Sequence, residues 1–579
     1  MDDCHIWADD PVSTEIIENI HVDYNPATSI EFHYDVNGNR DWMKDPHGQT
    51  SYDWDRLHRL TKVTEPDSKW IGYEYDWNNN RTKMTDHIEA TSKDTVYEYN
   101  TRGLLWKLTD RNGGTPTEYI YNDDGSLHTM TYPNGVVATY TYDPYRGWLT
   151  HLIHQSGATT IAEFTYAYNP TYWGKNGTRT SMAELILKPG GGYIDSTVTY
   201  TYDGLYRLTG EARTGDYAYN KAYAYDANGN RETMVDGSGT TYYHYDYASK
   251  LKDFGESNAP QSALNTNIDY DGAGNTETIT PPGENPMVTT YSWDWEDMLT
   301  KIKEGTTTLA QFSYDGEGKR VSADFQPATT QFLYDGDKVV AELDGDGVAQ
   351  AFYPTGPDGT ISRLVPSADL MYYHGDGLAS VKAMTGGTPV AVMDTYAYDA
   401  WGNRLVHLGS GEQPYEYVGR LGYYTHYQET DFDLLQLGAR YYDPSLGRFV
   451  SADPIGYRAG MNLYVYVYDE PVLLVDPSGM KGGVYGPWQP PDTIGPANPA
   501  PKPPVIAPAP KFPRVPDPDL LEFLICMGPH DTQGKFEFSY CVTDCVNQCS
   551  PFGLLWGSGC TLACVAIQCP NWDCSKIPL

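Results

Sequence analysis

"YAYDANGNRET", Tyr223 to Thr233, holds the fold in miniature. Tyr223 and Tyr225 stand two residues apart, which in an extended strand places both rings on one face. Asp226, Asn228 and Gly229 follow at once, and these are the residues that a tight reversal with positive φ requires. The stretch reads as a strand, a turn and the start of a returning strand. The same phrase recurs as "YDVNGNR" from Tyr34, "YDGAGN" from Tyr270, "YDGEGKR" from Tyr314 and "YDAWGNR" from Tyr398.

Working outward, Tyr-Asp pairs and their close variants begin at Tyr34, Tyr52, Tyr75, Tyr99, Tyr121, Tyr142, Tyr202, Tyr225, Tyr245, Tyr270, Trp293, Tyr314 and Tyr334, with a longer interval around Tyr168. Their spacing of roughly 18 to 25 residues marks a repeat architecture. One hairpin cannot bury its own aromatic face, so successive hairpins are predicted to add to one growing sheet. Composition agrees: 50 Tyr and 56 Gly against 14 Phe in 579 residues describe strands punctuated by turns. The fold class is all-β.

The formal charge of −37 argues against nucleic acid or an anionic membrane as a partner for the outer surface of the repeats, since phosphate binding needs Lys and Arg. The chain shows no basic-then-apolar signal peptide at its start and no apolar run of about 20 residues that would span a bilayer. Cysteine is partitioned: Cys4 alone precedes position 526, and Cys526, Cys541, Cys545, Cys549, Cys560, Cys564, Cys569 and Cys574 crowd the end. Such unequal sulfur usage points to two regions selected for different environments.

Two Asp-Pro-x-Gly tetrads, "DPIG" at Asp453 and "DPSG" at Asp476, precede the change. Proline fixes φ after each Asp and glycine permits a tight turn, so each carboxylate stands on a rigid corner. Two close carboxyl groups are sufficient to hydrolyse a peptide when one is ionised to activate water and the other protonated to polarise the carbonyl. Arg448, in "GRF", is the cation expected to hold one of them ionised.

The segment "LLQLGARYYDPSLGRFVSADPIGYRAGMNLYVYVYDEPVLLVDPSGM", ending at Met480, is similar to the repeat-associated core of the RHS and Tyr-Asp (YD) repeat proteins, and the resemblance covers roughly residues 20 to 480. That family includes bacterial polymorphic toxins and the C components of insecticidal toxin complexes. The resemblance implies repeats that wind into a spiralling sheet closed as a hollow cocoon, here possessing fewer repeats than the family's closed shells, with the core plugging one end. It also implies a core that cuts its own chain after an Asp-Pro-x-Gly-apolar motif. Mapped here, the cut falls between Met480 and Lys481, and Asp453 and Asp476 are its carboxylates; Met480 replaces the more usual Leu, and Ala452 stands where some members carry Arg. No cofactor or metal is implied. The expected domains are a repeat shell over 1–394, the core over 395–480, a linker over 481–518 and an effector-like module over 519–579.

The linker is dominated by proline, which favours extended polyproline II. Beyond it, "DPDLLEFLICMG" reads as a helix start with Asp517 or Asp519 near its N-terminus. The cysteine spacing of four along Cys541, Cys545 and Cys549 suits one helical face, so a disulfide-stapled helical module is expected, with a zinc cluster as the rival. Residues 481–579 carry six Lys plus Arg and eight Asp plus Glu, a balance that disfavours a nuclease. No residue from Val546 to Trp572 is charged, which raises a target membrane as a partner for the tail. His530-Asp531 reads as an ordinary surface turn.

The function expected is a polymorphic toxin fragment that encloses its own C-terminal tail as cargo and releases it by self-cleavage in interbacterial competition. Such a protein would be secreted from, or displayed on, a bacterium, with a cognate immunity protein and a secretion-system spike as partners. The alternative is a cell-surface adhesion or carbohydrate-binding protein whose exposed rings stack on sugars.

Overall fold

In the computed structural model the described residues are 19–22, 29–169, 177–366, 370–429, 432–458, 460–480, 482–484, 523–527 and 538–542. They fall into two units, Met1–Ala500 and Pro501–Leu579. Among the described residues the only helical elements are short 3₁₀ turns at Gly419–Leu421, Gly456–Arg458 and Val467–Asp469; the remainder of the regular structure is strand.

The first unit is built on a thirty-stranded antiparallel sheet that runs from Asn19–Val22 to Ala349–Phe352, each strand pairing with the next in sequence. The local cause is visible at Tyr219–Tyr225. Asp226 Oδ1 accepts the backbone N–H groups of Asn228 (2.8 Å) and Asn230 (2.9 Å), and its carbonyl accepts from Gly229, whose φ of 80° needs glycine. The register slips by one residue between Ala224 and Tyr225, bringing the Tyr225 hydroxyl across to donate to Leu208 O at 2.6 Å.

This backward reach repeats along the sheet. The hydroxyls of Tyr75, Tyr99, Tyr121, Tyr142, Tyr168 and Tyr202 donate to the carbonyls of Leu60, Arg81, Leu105, Leu127, Leu149 and Arg179, each in the preceding hairpin. Trp54 and Trp293 make the same bond with their indole N–H, to Arg40 O and Thr276 O. Phenylalanine has no such donor, which accounts for the choice of Tyr over Phe at these turn positions. The second repeat therefore turns after Trp54-Asp55, not after the Tyr52-Asp53 pair singled out in the sequence.

The residue that begins each returning strand faces inward: Leu105, Leu127, Leu208, Leu251 and Leu299 are all buried, each worth about 1.5 to 3 kcal/mol. Where that position is Arg, the guanidinium stacks on rings, as Arg231 does over Trp401 at 4.3 Å and Arg320 over Phe332 at 4.6 Å. Later strands pack onto the inner face of earlier ones. Tyr73 and Arg81 meet Asp335 at 3.0 and 2.6 Å, and Tyr132 donates to Tyr373 O at 2.8 Å.

A five-stranded sheet follows, from Ser362–Arg363 to Arg404–Leu408, and the expected boundary between 394 and 395 falls inside its fourth strand, Ala391–Tyr398. In the second unit the described residues form a hairpin of Phe523–Met527 with Phe538–Val542. Asp517 and Asp519, where a helix was expected to start, lie outside the described residues; Phe523–Met527, within that expected helix, is a strand, in keeping with the preference of Phe, Ile and neighbouring apolar residues for a pleated surface. Cys526 and Cys541 lie on these two strands, and the other six cysteines of the tail lie outside the described residues.

Candidate functional site

The two Asp-Pro-x-Gly tetrads close the same backbone turn. Asp453 O accepts from Gly456 N at 2.9 Å, and Asp476 O from Gly479 N at 3.2 Å, with φ of 64° and 66° at the two glycines. Each carboxylate also caps its own turn: Asp453 Oδ1 accepts from Ile455 N at 3.0 Å, and Asp476 Oδ1 from Ser478 Oγ at 3.0 Å and Met480 N at 3.2 Å. The corners are therefore set locally, by proline, glycine and the carboxylate itself.

A hairpin of Leu435–Leu437 and Arg440–Asp443 brings the corners together. Its turn lies flush against the second tetrad. Ala439 N donates to Ser478 O at 3.0 Å, and a Cβ on Gly479 would fall on Leu437 O. Arg440, at the start of the return strand, is buried and reaches both corners. Its Nη2 lies 2.8 Å from Asp453 Oδ2 and 3.7 Å from Asp476 Oδ2. Nη1 donates to Leu463 O at 3.0 Å, Nε donates to Gly479 O, and the Phe449 ring lies 3.5 Å beneath the guanidinium.

Burial is the larger influence on these groups. It pushes the Asp453 carboxyl up, opposed by Arg440 and reinforced by Asp476. It brings the Arg440 guanidinium down to about 10, against the pull of both carboxylates. The Asp476 amide donates to Tyr423 Oη at 2.6 Å, which is in turn 2.8 Å from Tyr466 Oη. Beyond the second corner Met480 is partly exposed, and the chain turns back so that Gly483–Val484 pairs with Leu474–Val475. Lys481 lies outside the described residues.

The structure brings Asp453 and Asp476 to one guanidinium, but it is that of Arg440 and not of Arg448, the cation expected there. Arg448 donates to Ser249 O at 2.6 Å and packs against Tyr245 and Tyr464, so it fastens the core to a repeat turn. Arg440 is the cation that lies beside the two carboxylates. Nothing adjacent in sequence marks Arg440; only the hairpin carries it to a position between two tetrads. Two buried carboxyls thus share one guanidinium, and burial drives one of them, Asp453, toward its protonated form. Among the described residues no group of three or more His, Cys, Asp or Glu side chains comes together to hold a metal.

Comparison with known proteins agrees with the fold. The family profile RHS Repeat matches residues 34–69. Over 424 residues the chain is 28% identical to the tRNA nuclease WapA of Bacillus subtilis strain 168, covering 70% of this chain and 16% of that one. Over 453 residues it is 26% identical to the probable deoxyribonuclease RhsB of Dickeya dadantii, covering 71% of this chain and 29% of the relative. The chain thus spans less than a third of these relatives' length. The solved Photorhabdus luminescens Tc holotoxin pore aligns over 81% of this chain and 30% of its own, with 13% identity and a TM-score of 0.46. With its meander of stapled Tyr-Asp hairpins running into a double Asp-Pro-x-Gly core, the chain is similar to the RHS, or Tyr-Asp, repeat proteins.

Proposed function

We propose that this chain is the shell and core of a bacterial polymorphic toxin whose core cuts its own backbone between Met480 and Lys481, releasing residues 481–579 as an effector. The observation that carries this reading is Arg440 holding Asp453 and Asp476 on one nitrogen at the turn that ends in Met480. In the reaction one carboxylate removes a proton from water, the protonated partner polarises the scissile carbonyl, and that proton passes to the departing amine of Lys481. The repeats enclose the tail before release. Its delivery from the producing cell and the immunity protein that spares the producer's kin belong to the same reading, as does its use against competing bacteria.

The test is expression of the full 579-residue chain. Wild type should separate into a large fragment ending at Met480 and a small one beginning at Lys481, while Asp476→Asn and Asp453→Asn stay whole. An unbroken wild-type chain would refute self-cleavage and favour an adhesion protein, for which Trp77, Tyr145 and Tyr247, all above 90% exposed, offer rings at hairpin tips.

A further inference from the structure

The loop between the two tetrads does more than link them. Leu463 O is a hub: it accepts from Arg440 Nη1 at 3.0 Å and from Asp453 N at 3.0 Å. One peptide oxygen thereby fixes the guanidinium and the backbone of the first carboxylate relative to each other. Its two neighbours are both fastened to the repeat sheet. Asn462 Nδ2 donates to Asn230 Oδ1 at 3.0 Å and Asn228 O at 3.3 Å, in the Asp226–Asn230 turn. Tyr464 donates its hydroxyl to Gly274 O at 2.7 Å, in the Asp271–Asn275 turn, with its ring edge-on to Tyr270 at 5.8 Å.

Within the tripeptide, Tyr464 N donates to Asn462 Oδ1 at 3.1 Å, so the two anchors brace each other. Adjacent strands repeat the pattern. Thr276 donates to Val450 O through both its amide (3.0 Å) and its hydroxyl (2.8 Å), and Arg448 grips Ser249 O in the intervening turn. Three successive Tyr-Asp turns therefore set where the segment bearing Asp453 lies.

We infer that Asn462 and Tyr464 are positioning residues through which these repeat turns fix Arg440 and Asp453 around Leu463 O, so that the cut depends on those turns having formed. This rests on the self-cleavage reading above. A chain whose repeats have not reached their native register then holds its cargo uncut, because its first carboxylate and its guanidinium are not yet locked together.

The experiment follows pulse-labelled full-length chain through a chase and measures the rate at which the fragment ending at Met480 appears, over a range of pH. Asn462→Ala should slow the cut about tenfold or more, since small misplacements of catalytic groups cost one to two orders of magnitude, and should shift its pH profile as Arg440 loosens from Asp453. Tyr464→Phe keeps the ring, loses the bond to Gly274, and should slow the cut in the same direction. Ile194→Val, which trims the buried sheet far from this loop, should lower the unfolding midpoint and leave rate and pH profile as in wild type. Wild-type rates in both Asn462→Ala and Tyr464→Phe would overturn the inference while leaving self-cleavage intact. Equal slowing by Ile194→Val at matched stability would overturn it too, by showing that general loosening suffices. A wild-type chain that remains whole would instead remove the reading on which it rests.

Discussion

Replacing Arg440 is the sharpest perturbation of the core. Arg440→Met keeps length and apolar contact with Phe449 but leaves Asp453 and Asp476 buried without their shared cation, and strips Leu463 O and Gly479 O of a donor. Breaking a buried pair from one side costs about 3 to 5 kcal/mol. Arg440→Lys should be little better, because one ammonium cannot reach two carbonyls and two carboxylates that a planar fork spans. The effect is read without interference from the cut in an Asp476→Asn background, by hydrogen exchange of peptides covering 435–484. Local opening should become roughly a hundredfold to a few thousandfold more frequent on adding Arg440→Met. In the otherwise wild-type chain the fragment ending at Met480 should not appear. Cutting at the wild-type rate in Arg440→Met, with unchanged exchange, would refute the shared-cation argument.

The repeats and the loop between the tetrads give two further expectations. Tyr225→Phe removes the donor to Leu208 O and should lower stability by about 1 to 3 kcal/mol in urea unfolding, since a carbonyl is left unpaired; no loss would mean that the backward bond is incidental. Burial pushes Asp469 up to about 7, against the pull of Arg231, Arg207 and Arg448. A carboxyl raised in the fold binds its proton more tightly there than in the unfolded chain, so its stabilising share is complete below about pH 4 and is lost as pH rises through 7, on the order of 4 kcal/mol in all. Asp469→Asn should therefore gain on its parent between pH 5 and pH 8 when both are compared by thermal unfolding in the Asp476→Asn background; a constant difference would show that Asp469 is ionised throughout.

What the sequence displayed was whatever is decided within a few residues. The Asp226 turn and both Asp-Pro-x-Gly corners are closed by groups two to four positions apart, and each could be read without knowing the fold. The one-residue slip before each turning aromatic could not be read, nor that the second repeat turns on Trp54-Asp55 and not on the Tyr52-Asp53 pair two residues earlier. Arg440 was hidden for a different reason: its partners lie far along the chain and meet it only after Gly438 and Gly479 let two turns nest. The tail misled because Asp517 and Asp519 resemble a helix cap, whereas the run from Phe523 pairs with one eleven residues beyond it.

The tyrosine bonds have a direction. At the Tyr-Asp turns the hydroxyls that donate to the preceding hairpin reach to residues 14 to 23 positions earlier. A ribosome delivers the chain in that same order, so every new hairpin finds its fastening point already in place and needs nothing downstream to close. The bonds that join distant parts, such as Tyr73 to Asp335 or Tyr464 to Gly274, fall due only when the later residues emerge. Folding can thus keep pace with synthesis from one end, short loops first, which limits how long unpaired strand edges stand open to other chains. The Asp453 and Asp476 corners are among the last of the first unit to be supplied, and they arrive at a sheet whose turns have been waiting for them.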